Sequence, residues 1–457
     1  MIRSVRTIGL ALALLVACAS PARAATMTHL DLASLALEAD VVVRAERTGG
    51  ADDAASYRVV RLIAGRGLRV GDTVTLDQRL YFVDTTGTHG APIAGPVEPA
   101  AILFLRAGSD RSQPAWSLVG SGLRIVAGGR VYRFEQWSNP GPYVAVPQRR
   151  DPEDVRGVAT DEHWDLARLE QGVAAAIARA DRARAAIASR DPAAVLALMP
   201  AEAVARDGFG GHAYEDRIAV RGFEALLAAG HLDAALDVLA RTRGARPWSV
   251  QVEDAELMAR AESSAAPLAR RIAALSLLDL LPGDDTVRRL IAIARNDTAP
   301  AALRVAAVEE LAGYEGVSGS DDDWPRRRRA LQAALRSLVH DVSTTGPPSV
   351  RTALVACAAR WELRGAVPRA HLVAASAVRR GDVVEYHVAA APGTDPTVDA
   401  IAVLRDDGTP CAAEVITGWS SAIERHGRID LAACDSATDI RFTLRGRRRT
   451  ITAPIER

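Results

Sequence analysis

The residues that could do chemistry in this 457-residue chain are few, and they are poorly grouped. Its nine histidines are scattered. Neither His-Glu-x-x-His nor His-x-x-x-His occurs, which disfavours a zinc hydrolase built on one helix face. The richest local grouping is the glycine-rich loop Gly208 to His212, followed by Tyr214, Glu215 and Asp216. Glycine loops held by a scaffold often carry function, so this loop is where an enzyme of unrecognised type, such as a hydrolase, would place its site. An ordinary interhelical loop would look the same. Gly120-Ser121-Gly122 is a fragment of the Gly-x-Ser-x-Gly nucleophile turn. It falls between two strand patterns, and a simple turn accounts for it. Asp321-Asp322-Asp323 are consecutive and point apart, whereas a calcium loop needs spaced, converging carboxylates. No catalytic, cofactor-binding or metal-ligating residue is assigned, and no cofactor is expected.

All 56 residues counted as Lys or Arg are arginine. Without lysine there is no Schiff-base nucleophile, P-loop lysine or kinase strand lysine. The formal net charge is +0, so no nucleic-acid partner is expected, since such binding draws on a basic excess. The arginine runs Arg326 to Arg329 and Arg447 to Arg449 read as solvated charge, the first paired with the acidic triplet before it. Tyr132, Phe134, Trp137 and Tyr143 cluster in a chain with 4% aromatics. They either line a binding face or close one end of a barrel.

The cysteines are Cys18, Cys357, Cys411 and Cys434. Residues 1–24 read as a signal peptide: Arg3 and Arg6, then the apolar run Thr7 to Ala17, then a cleavage site at Ala22-Arg23-Ala24. Leu15-Val16-Ala17-Cys18 also resembles a bacterial lipobox, in which Cys18 is lipidated. Both readings place the protein outside the cytoplasm, periplasmic or secreted, with membrane contact only through a Cys18 lipid anchor. Export permits disulfides. Cys411 and Cys434, both in the last module, are a plausible pair, and Cys357, in an apolar helical run, reads as a buried free thiol.

Three modules are expected to position these residues. Residues 28–148 carry a short helix pattern and then short strands at Asp40–Ala45, Tyr57–Ile63, Thr73–Leu76, Ala101–Leu105, Trp116–Val119, Leu123–Val126 and Val131–Phe134, separated by glycine turns. That pattern implies a small barrel or sandwich. The order of helix, Asp-Val-Val-Val-x-Ala, Val-Gly-Asp-Thr-Val and Ile-Leu-Phe-Leu resembles netrin-like OB barrels, without their cysteines.

Residues 161–368 turn to helical period, with Leu166, Leu169, Val173 and Ile177 on one face. The segment Ala228 to Leu236 resembles one tetratricopeptide-type hairpin. Three later segments resemble HEAT-like repeats: Pro267 with Arg270 and Arg271, Pro300 with Arg304, and Pro348 with Arg351, each followed by an alanine-rich apolar face. The resemblance implies an irregular α-solenoid with Leu275, Val308 and Leu354 buried. Residues 371–457 read as a small β-sandwich, with strands at Val383–Val388, Ile401–Leu404, Glu414–Ile416 and Ile440–Leu444. The expected fold class is therefore multidomain α+β. The expected function is that of an exported, non-enzymatic interaction or scaffold protein, whose helical-repeat surface binds an unknown protein or peptide partner.

Overall fold

The computed structural model describes residues 32–49, 55–76, 80–81, 100–108, 115–127, 130–136, 143–147, 165–200, 214–242, 252–279, 283–316, 324–395, 397–411, 413–421, 423–431, 434, 436–445 and 450–456. The fold is mixed: an N-terminal sheet, helices through the middle, and a C-terminal sheet. The chain divides into two compact units. One holds residues 1–198 and 209–218, the other residues 199–208 and 219–457.

The first unit is built on one sheet of eight strands: β1 (Val41–Gly49), β2 (Ala55–Gly65), β3 (Thr73–Leu76), β4 (Leu80–Tyr81), β5 (Ala100–Ala107), β6 (Trp116–Ala127), β7 (Arg130–Gln136) and β8 (Tyr143–Pro147). Their order is β3-β2-β1-β5-β6-β7-β8-β4, antiparallel except for the parallel pair of β4 and β8. Strand alternation sends Val41, Val43, Ala45, Tyr57, Val59, Leu103, Leu105, Leu123 and Ile125 into one core. Gly120-Ser121-Gly122 does not form the expected turn. It lies inside β6, which runs unbroken for 12 residues. At Gly122 a Cβ would sit 2.8 Å from the Phe104 and Val119 carbonyl oxygens, so glycine relieves a close backbone approach beside a register shift.

The helix Leu166–Ser189 belongs to this unit, although its period groups it with the middle region. Arg184 explains why. Its guanidinium donates to the carbonyls of Ala36, Leu37 and Ala39, capping the end of the short helix Leu32–Glu38, whose last carbonyls have no partner within the helix. Glu170 adds ion pairs to Arg44 at 3.3 Å and Arg61 at 2.7 Å.

In the second unit, each of the successive helices buries apolar residues, and the last is covered nearly all round. The helices are Leu232–Ala240, Asp254–Glu262, Leu268–Leu275, Asp284–Arg295, Ala301–Gly313, Trp324–Val342 and Pro348–Arg360. Leu275, Val308 and Leu354 are buried, as are Leu236, Leu257, Leu290 and Leu335. Pro267 and Pro300 are N-cap residues, and Pro348 is the first residue of its helix. At these positions proline's missing N–H costs nothing. A contact recurs across two of these segments. Arg271 Nε donates to the Ala261 carbonyl at 2.7 Å, and Arg304 Nε donates to the Ala294 carbonyl at 3.0 Å. Each arginine stands four residues after its proline and reaches back into the preceding helix. In the third segment the N-cap is Pro347, and the residue four positions on is Arg351, which makes no such contact among the described residues. An α-solenoid is thus not established by the helix packing, and the pattern is irregular.

The C-terminal region differs from the expected sandwich. It forms one open, eight-strand sheet of β9 (Val373–Arg380), β10 (Val383–Ala390), β11 (Val398–Arg405), β12 (Pro410–Cys411), β13 (Glu414–Ser420), β14 (Glu424–Asp430), β15 (Ala437–Leu444) and β16 (Thr450–Glu456). The order is β12-β11-β15-β16-β9-β10-β14-β13, with β16 parallel to β9. The sheet curls on itself. Val384, Tyr386 and Val388 share a single core with Val403, Ile440 and Phe442 from strands several places away. Cys411 and Cys434 are joined in a disulfide with Cα atoms 6.0 Å apart, and Cys357 is a buried free thiol.

Candidate metal centre

Strand alternation in β10 sends Val384, Tyr386 and Val388 to the core, so Glu385 and His387 face the opposite side of the sheet. The helix Pro348–Arg360 packs on β9 and β10. β10 and β14 pair antiparallel with His387 directly opposite His426. Glu424, two residues before His426, shares its face. Gly427 stands opposite Tyr386, and a Cβ there would overlap the Tyr386 ring and hydroxyl. The residue beside His426 therefore has to be glycine for the strands to close to this register.

The result is a convergent group of four side chains. His387 Nε2 and His426 Nε2 lie 3.0 Å and 3.2 Å from the same atom, Glu424 Oε2. The imidazole rings stack with centroids 3.9 Å apart. Arg360 takes the other carboxylate oxygen, its terminal nitrogen 2.5 Å from Glu424 Oε1. Arg360 is the last residue of its helix, where a cation complements the dipole. The next residue, Trp361, is buried and donates its indole N–H to the Leu311 carbonyl at 3.0 Å, which pins the helix end. Ser421 closes the start of β14 by accepting from the Glu424 N–H at 3.1 Å.

Exposure is graded. The Glu424 side chain is 3% exposed, that of His387 18%, that of Arg360 39% and that of His426 44%. Burial of Glu424 opposes its ionisation, but hydrogen bonds from His387, His426 and Arg360 outweigh this and hold the carboxyl far below its ordinary range. An ionised carboxylate only accepts, so without a cation both Nε2 atoms carry hydrogen and donate. Burial lowers the His387 pKa, with the Glu424 hydrogen bond opposing, so its imidazole is neutral at neutral pH. Glu309 senses the same charges. Its carboxyl reaches solvent but is crowded by protein; the crowding raises its pKa, while Arg360 and His426 pull it down.

Chemically, this is a donor set for a cation. The two imidazole nitrogens and one carboxylate oxygen lie within 4.8 Å of one another, the one such group among the described residues. None of the three was singled out by sequence. The Gly208–His212 loop and Cys18 lie outside the described residues, as do Asp321 to Asp323 and Arg447 to Arg449. Tyr214, Glu215 and Asp216 begin the helix Tyr214–Ala228. Arg327 and Arg328 of the arginine run pair with Asp284 and Glu315. Tyr132 and Phe134 lie in β7 and Tyr143 in β8, while Trp137 is outside the described residues. The chain matches no family model, no curated protein and no solved structure at a significant level.

Proposed function

We propose that this is an exported binding protein whose C-terminal sheet holds one divalent transition-metal ion between His387, Glu424 and His426. The observation that carries the reading is the pair of Nε2 distances, 3.0 Å and 3.2 Å, to one carboxylate oxygen. Metal bonds of about 2.0–2.2 Å place neighbouring donors roughly 3.0 Å apart in octahedral and 3.4 Å apart in tetrahedral geometry. The spacing of each imidazole nitrogen from that carboxylate oxygen therefore already suits a metal. Imidazole with carboxylate suits zinc and its neighbours in the first transition row, not calcium or magnesium.

Metal content provides the test. The full chain is stripped with a chelator, dialysed against excess zinc, and analysed. The expected result is one zinc per chain in the wild type, with binding weakened by roughly 100-fold or more in the double variant His387→Gln/His426→Gln. Equal zinc in both proteins contradicts the assignment.

The rest of the chain fits a binding role. The recurrent Arg271 and Arg304 contacts support HEAT-like stacking of the central helices, and stacked helices offer a surface for a protein or peptide partner. Pull-down with the intact chain and with a variant carrying reversed charges on the helix surface tests this. A partner retained equally by both sinks the helical surface as its site. Export is tested by intact mass from the native host, where loss of the first 17 or 24 residues is expected and a retained Met1 refutes it. Among the described residues, no helix is long and apolar enough to cross a membrane.

A further inference from the structure

The metal site has a second ligand partner in Arg360, and this inference rests on the metal reading above. We propose that the metal and Arg360 together bind a small oxyanion, a carboxylate or a phosphate, on the open side of the His387–Glu424–His426 group. Three protein donors leave at least one coordination position free, the hallmark of sites that take an exogenous ligand rather than purely structural ones.

Access is one-sided. Glu424 and His387 are covered, while His426 and Arg360 are the exposed members. A ligand therefore arrives beside the guanidinium. Arg360 uses one terminal nitrogen on Glu424 Oε1, and the guanidinium has five N–H donors in a planar fork. The remaining donors suit a molecule that accepts two hydrogen bonds, which is what a carboxylate or phosphate offers.

Charge favours the same ligand. Imidazoles that coordinate the ion add no charge of their own, so the carboxylates of Glu424 and Glu309 stand against one arginine and a divalent ion, leaving a positive excess. In a partly covered site that excess is best relieved by an anion. A neutral ligand, or water alone, leaves it uncompensated.

Cobalt(II) reports on this directly, because its visible absorption follows coordination. The stripped full chain is loaded with one equivalent of cobalt and titrated separately with inorganic phosphate and with acetate, and the two arms distinguish the two anion sources. The expected result is a saturable spectral change with at least one anion. Arg360→Gln should keep its cobalt but bind the anion about 10- to 100-fold more weakly, the loss of a charge-assisted contact. Arg360→Lys, which keeps the charge without the fork, should fall between. Cobalt bound with a spectrum indifferent to both anions overturns the proposal and leaves the metal site standing, and so does an Arg360→Gln titration like that of the wild type. No cobalt absorption at one equivalent overturns the metal site, and this inference with it.

Discussion

Glu424 concentrates the physical chemistry of the C-terminal sheet. It is a nearly inaccessible carboxylate that accepts from two imidazoles and a guanidinium. Its value depends on all its partners being present, because a buried group left without one costs about 1–3 kcal/mol. Glu424→Gln keeps the shape but removes the charge, and should destabilise the metal-free protein by about that amount in chemical denaturation. The pH dependence follows from two depressed pKa values. The unfolded state takes up a proton on His387 near 6.5 and on Glu424 near 4.5, where the folded state resists both. Their contribution is thus present above these values and lost as pH falls, first below 6.5 and then below 4.5. Denaturation midpoints measured across this range should fall with acid in the wild type and fall less in His387→Gln. Parallel curves would show that His387 is protonated equally in both states. Gly427→Ala should also destabilise, by about 1–3 kcal/mol, because the new methyl group displaces buried Tyr386. Part of this site was legible in sequence. Glu424-Arg425-His426 has the i, i+2 spacing that puts two side chains on one face of a strand. The segment has too many charges to read as a strand, however, and nothing in the chain says which residue of β10 would stand opposite. Register is a tertiary property, and it alone brings His387 within reach from 37 residues away.

At the scale of elements, helices were more legible than strands. Proline followed by arginine and an alanine-rich face marks real helix starts at Pro267, Pro300 and Pro348, because proline's constraint acts locally. What proline does not reveal is the partner of each arginine. Arg304 is 3% exposed and donates to Ala294, and burial lowers its pKa. Arg304→Ala removes that donor and opens a space, with an expected loss of about 2–4 kcal/mol in a thermal or urea melt. Arg271→Ala should cost less, since Arg271 is only half-buried. Val308→Asp places a charge in a fully buried position of the same helix and should unfold the region. Val308→Asp melting like the wild type would mean that the helix face is wrong. The strand β6 shows the opposite lesson. Gly120 and Gly122 look like turn residues, yet both lie within a continuous strand, where Gly122 permits a close backbone approach. Glycine marks unusual backbone demands without saying which.

At the scale of the molecule, the chain divides at places that composition does not mark. Glu170 ties the helix Leu166–Ser189 to the first sheet by ion pairs, Arg184 ties it to the short helix before that sheet, and the C-terminal sheet shares a unit with the helices before it. Long-range ion pairs of this kind leave no trace in hydrophobic period. The Cys411–Cys434 link spans 23 residues of sequence within the second unit, and in the chain-entropy account it contributes about 3 kcal/mol. Reduction should lower the melting temperature by several degrees. Cys357 should resist alkylation until the chain unfolds, since burial pushes its thiol up to about 12. The curled sheet, the helix ending at Arg360 and the pairing of β10 with β14 have one joint consequence, the convergence of three donor atoms. The most direct measurement of it is an anomalous-scattering map at the zinc absorption edge, from crystals of the zinc-loaded chain. The prediction is one strong peak within bonding distance of His387 Nε2, His426 Nε2 and Glu424 Oε2. Crystals grown with zinc that show no peak there, with Glu424 still held by both histidines and Arg360, would contradict it.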